Sequence, residues 1–504
     1  KLGDIAFSVA NSANTLTVSN TDKVIFAGTV DVENIDLNAT SAMQEAASVI
    51  DTSMLNMVTS DGINLGSTNN MVRKAAISNT RSGNITIATK AGVNLQKISN
   101  LATSGTAQFA INSAGTVRLQ GDITAKDVKI EGSSINQDED TGKIVANALM
   151  ANSTGGLSLA SLDNEIGAVS LYGSGNITFN NKGPLNIGLL QNASSRVNHE
   201  VQVTNIGSLN LKGTVSGKNV KLTATSITQN KTAKILTENL TVITNEGLTI
   251  NSNLNEIAKA TLTNKNSGNI AICSKTSLEL AGVAGASAKS DNSLTVDGGS
   301  EVIFGGNVSA ANISVTAGSI TQNETAGSII TTSLDATANS GISLDSTNNQ
   351  IRKARLINKL SGNILLKNKS VLELTLMENI GRSASIINAG NLVVGGNIFA
   401  KGLSLDCTSL IQNVSTGKIK VGELTVNSIN GMSLAAASNE IDRARLVNMT
   451  KGNIELRTSS HLDLAAENRS TSAADKLIVY CSGALNAIDA LTARNIDLTA
   501  LTFT

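Results

Sequence analysis

The chain has 504 residues, with 39 Lys and Arg balancing 39 Asp and Glu, one Pro, three Cys, no Trp and two Tyr. Zero net charge removes a general electrostatic pull toward nucleic acid or an anionic membrane, and no run approaches the ~18 apolar residues of a membrane-spanning helix. So few aromatics and prolines, with no linker-like stretch, argue against a string of ordinary globular domains and for one continuous architecture.

The chain opens Lys1-Leu2-Gly3-Asp4 without a charged-then-apolar leader, which reads as a mature or internal piece. Beyond it, short alternating runs of Val, Ile, Leu and Thr are separated by Asn, Gly, Ser and Asp, the pattern of strands punctuated by turns. The one candidate helix, residues 41–57, breaks off at the first of a set of recurring landmarks. A glutamine after a small apolar strand falls at Gln44, Gln137, Gln229, Gln322 and Gln412. An Asn-x-Ile/Val turn follows each, at Asn70, Asn164, Asn255, Asn349 and Asn439, with spacings of 94, 91, 94 and 90 residues. Then comes Gly-Asn-Ile, beginning at Gly83, Gly175, Gly268, Gly362 and Gly452. Residues 477–504 repeat the segment that leads into the glutamine, so the chain holds five copies and part of a sixth.

This period, near 92 residues, sets the domain reading: residues 1–504 form a single solenoid with landmarks at about 44–136, 137–228, 229–321, 322–411 and 412–504. One copy, Gly318 to Leu410, divides near Gly341, Gly362 and Gly390 into about four segments of ~20–28 residues. No segment can bury its apolar side alone, whereas stacked neighbours can. The expected fold is therefore all-β, a right-handed parallel β-helix, with about 22–26 rungs making an elongated rod on the order of 100–125 Å long. A string of β-sandwiches would share the period but lacks its Trp, Tyr and linkers.

Together the phrases Gly-Ser-Ile-Thr-Gln-Asn (Gly318 to Asn323), Gly-Ile-Ser-Leu (Gly341 to Leu344), Asn-Asn-Gln-Ile (Asn348 to Ile351) and Ser-Gly-Asn-Ile (Ser361 to Ile364) resemble the filamentous-haemagglutinin-like exoproteins. The resemblance spans the chain, since every copy carries these phrases. It implies the shaft of an adhesin or toxin stalk exported by two-partner secretion, at the outer surface of a Gram-negative bacterium or outside it. An outer-membrane transporter is then an implied partner. The Asn-Pro motifs of that family's secretion domain are missing, so the shaft is the part resembled.

Candidate sites follow from the repeat. Asn70, Asn164, Asn255, Asn349 and Asn439 are expected at solenoid corners, where Asn tolerates left-handed backbone. Four residues on come Lys74, Lys259, Lys353 and Arg443, with Ala168 breaking the set. With four rungs per copy these would form a basic ladder on one face, recurring about every 19 Å. It would be fit to meet a sulfated glycan or receptor on a host or neighbouring cell, or else simply to block lateral sheet pairing.

Enzymatic readings find no purchase in the residues. His199 and His461 stand alone, the acids mostly repeat with the unit, and Cys273, Cys407 and Cys481 have no metal-ligand spacing. No catalytic, cofactor or metal site is assigned. The expected function is a rigid adhesive or scaffolding shaft. Self-assembly end to end into a filament or sheath is the first alternative, and a carbohydrate-active β-helix enzyme the second.

Overall fold

The computed structural model describes residues 5–19, 22–103, 105–194, 199–285 and 292–504. These are strands joined by turns, with no helix, stacked in parallel as a β-solenoid of about 24 turns. The chain falls into two compact units, Lys1–Asn245 and Glu246–Thr504.

Alternation makes the strands. In Ile364–Asn368, Ile364, Leu366 and Asn368 point inward and are buried while Leu365 and Lys367 are partly exposed. Ile320, Ile342 and Ile364 are register partners in three successive turns, each at most 1% exposed. Each such side chain withdrawn from water contributes roughly 1.5–3 kcal/mol. Glycine serves where turns press together: Gly362 has φ +81°, and a Cβ there would lie 2.4 Å from the carbonyl oxygen of Ser340 in the turn before.

Register decides how the sequence repeat maps onto the turns. In the second unit one outward column runs Lys259, Glu279, Ile303, Thr321, Ser343, Leu365, Ser385, Ser404, Thr425, Arg445. Nine steps thus carry the chain from residue 259 to residue 445, which is two residues more than two sequence repeats, counted from Asn255 to Asn439. One repeat therefore spans about four and a half turns, not four. A second outward column runs Ser293, Asn312, Ser333, Lys353, Glu373, Val393, Ile411, Ser433, Glu455, Ile478. Successive copies of a motif consequently alternate between two sides of the coil. The first unit behaves alike: Lys74 shares a column with Asn94, Arg118, Asn136 and Ser158, while Ala168 shares another with Gln108, Asp127, Ala148 and Asn186.

Candidate functional site

The five landmark asparagines lie in the turn just before a strand, and all are 0% exposed. Left-handed backbone is not what fixes them, because Ala107 is the only described residue other than glycine with positive φ. Their side chains turn inward, and the landmark glutamine of the preceding turn meets them there. Asn349 Nδ2 donates to Gln322 Oε1 at 2.9 Å while Gln322 Nε2 donates to Asn349 Oδ1 at 2.8 Å. The same reciprocal pair joins Asn70 to Gln44 (2.9 and 2.7 Å), Asn164 to Gln137 (3.0 and 2.8 Å) and Asn439 to Gln412 (3.0 and 2.7 Å).

Each pair is wired further into the backbone. Asn349 Oδ1 also accepts the Ile329 amide at 2.8 Å, and Asn349 Nδ2 also donates to the Lys367 carbonyl, 3.1 Å away in the following turn. Gln322 Oε1 takes the Ser346 amide at 3.2 Å. Ile50, Ile144 and Ile419 supply the matching amides to Asn70, Asn164 and Asn439. Three consecutive turns are thus clipped by two side chains. A carboxamide is suited to this because it donates and accepts without charge, so both ends can be satisfied in a dry interior. Asn255 keeps the onward bond, to the Cys273 carbonyl at 3.1 Å.

A second interior device escaped the sequence reading. Asparagines at strand ends donate to the asparagine one turn on: Asn358 to Asn379, Asn368 to Asn388 and Asn448 to Asn468, each at 2.9 Å, with Asn79 to Asn100 and Asn181 to Asn205 at 3.0 Å. Their only signal is an Asn closing an alternating apolar run, as in Leu356-Ile357-Asn358, which is equally a turn signal.

The basic residues do not line one face. Lys353 is on the column with Ser433 and Glu455, whereas Arg443 is on another with Gly402, Glu423 and Asp463. The half-integral number of turns per repeat is the reason. Most are also neutralised by a neighbouring turn: Lys259 pairs with Glu279 at 2.8 Å, Lys353 with Glu373 at 3.0 Å, and Arg443 reaches Asp463 of the next turn at 3.5 Å and Glu423 of the preceding turn at 3.8 Å. Lys74 faces Asn94 and makes no ion pair among the described residues. Nearby, Lys418 and Lys420 hold the Glu440 carboxyl down at about 2, and Arg81, helped by Ser82, does the same for Asp61. The cationic column expected from spacing is, in structure, a set of exposed ion pairs on two sides.

The remaining reactive side chains are scattered. His461 leans on Asp463 at 3.3 Å, and His199 is on a strand approach in the other unit. The three thiols are buried and unpaired, and burial pushes Cys407 up to about 12. Among the described residues no three His, Cys, Asp or Glu side chains are grouped to hold a metal ion. A groove of about 530 Å³ lies in the first unit around Ala148 and Ala168. Comparison of the chain with protein-family models, curated proteins and solved structures gives no match.

Proposed function

We propose that the chain is the shaft of a fibrous exoprotein of adhesin type, a stiff spacer displayed at or released from a bacterial surface. The observation that supports this best is the clip. Each of the four Gln–Asn pairs ties three turns through uncharged hydrogen bonds, buried in three copies and part-buried at Gln44, and parallel strand pairing runs on either side of it within each unit. Stacking of this kind gives stability as a sum of turn and neighbour contributions, and lets a chain fold progressively as it emerges from a pore. The partner we propose for the shaft is a receptor or glycan on another cell. Nothing in the mechanism calls for a reaction: the work is mechanical.

Electron microscopy of the purified chain tests the reading. Discrete, extended particles are expected, and compact globules would overturn it.

A further inference from the structure

The groove in the first unit marks the place where one copy departs from the others. Two neighbouring outward columns form it. One runs Gln108, Asp127, Ala148, Ala168, Asn186, and the other Ala110, Lys129, Met150, Ser170, Leu189. In the second unit the corresponding stretch of column reads Ser293, Asn312, Ser333, Lys353, Glu373, and the Lys353–Glu373 ion pair covers the strands. In the first unit Ala168 and Asn186 stand where those two charges would be, and the pair is gone. The floor is then Ala148, Ala168 and Gly188. Across consecutive turns Gln108, Asp127, Ser170, Asn186 and Lys212 rim it, with Met150 half exposed beside them.

The lining says what would fit. Backbone groups of these strands are consumed by the parallel ladders on both sides, so an extended peptide laid on this face would leave its own amides and carbonyls unpaired. Side chains must do the recognising, and they are carboxamides, a hydroxyl, one carboxylate and one ammonium without net charge; Lys129 is already paired with Glu131 at 3.0 Å. Carboxamides and hydroxyls answer ligand hydroxyls, while the alanine floor and Met150 accept C–H faces. The groove crosses the strands, so successive turns present a new side chain every ~4.8 Å, close to the advance per sugar of a linear polysaccharide. From this we infer that the groove around Ala148 and Ala168 binds a segment of a linear, uncharged oligosaccharide. Sugars lie along the solenoid stack, with Ser170 and Gln108 hydrogen-bonding hydroxyls, Asn186 adding the second amide hydrogen and lone pair that its bonds to the Gly167 carbonyl (3.1 Å) and from Asn210 (3.4 Å) leave over, and Lys212 closing one end. This inference adds a ligand to the shaft reading and is independent of it, since particle shape tests one and sugar binding the other.

The test is titration of the intact chain with three uncharged hexasaccharides, cellohexaose, mannohexaose and chitohexaose, and with a sulfated heparin hexasaccharide. At least one uncharged sugar should bind with a dissociation constant below about 1 mM, and tighter than the sulfated one. The double variant Ala168→Lys/Asn186→Glu copies the Lys353–Glu373 pair into the groove and should weaken binding at least about tenfold. Lys212→Gln, at an exposed position, is the second variant and should weaken it about threefold or more. Lys353→Ala, on the other unit, should leave it unchanged. Binding of none of the uncharged sugars, preference for the sulfated one, or binding that survives both groove variants would overturn the inference.

Discussion

Asn349 and Lys353 lie four residues apart at the start of one strand, recur at the same period, and face opposite environments. The asparagine is buried with its amide fully engaged, and the four copies for which the pair is described keep one geometry to within 0.3 Å. The lysine position is exposed and drifts from Lys to Ala to Arg. The difference teaches where a repeat is held. Inside, an unpaired polar group costs its full desolvation, so each clip must be complete or absent. Outside, water satisfies whatever a neighbour does not, and exposed ion pairs contribute little. Variation is therefore tolerated on the outer face, and the groove at Ala168 is one result.

Breaking the inner member should have the largest effect. Asn349→Ala takes from Gln322 Nε2 its acceptor and from Gln322 Oε1 one of two donors, the Ser346 amide remaining, and it removes the side-chain partner of the Ile329 amide and of the Lys367 carbonyl. The expected loss is about 3–5 kcal/mol, felt in the neighbouring turns and read by urea unfolding. Leu366→Ala opens an apolar cavity in the same turns and should cost about 2–4 kcal/mol. At the end of the second unit, Ile496→Ala removes a half-exposed side chain and should cost under about 1 kcal/mol. Equal losses at Leu366 and Ile496 would mean that the last turn is covered in solution.

The outer member should respond weakly. Lys353→Ala should shift stability by no more than about 0.5 kcal/mol, and less still in high salt. Acid sharpens the contrast. The Glu440 carboxyl is held at about 2 against an unfolded value of about 4.3, so its contribution is complete above that higher value. That contribution fades as pH falls toward 2. A Glu440→Gln variant should lose part of the acid-induced destabilisation, whereas Asn349→Ala should keep its pH profile and be weaker throughout. Thiol labelling gives one more handle on the interior: with Cys407 pushed up to about 12, native protein at pH 8 should react orders of magnitude more slowly there than unfolded protein.

Much of the fold was legible before the structure. Alternation of apolar and polar residues gives the strands, and three landmarks at one period give the solenoid. The glutamine and asparagine were each visible, but not that they touch, because they are separated by 26 or 27 residues and only the coil brings them together. The basic positions were visible too, yet their faces were not. A period near 92 residues and turns of roughly 20 do not divide evenly, so equal spacing in sequence alternates sides in space. Ala168 looked like a gap in a ladder. Only its partner Asn186 and the small residues of adjoining turns reveal an opening there.

Hydrogen–deuterium exchange on Asn349→Ala beside Lys353→Ala tests the central claim most directly. The account predicts that the asparagine variant loses protection across the three clipped turns, from Gln322 to Asn368, while turns farther along the second unit and the whole lysine variant exchange as the parent does. Equal protection in the two variants, or a loss at Lys353 as large as that at Asn349, would contradict it.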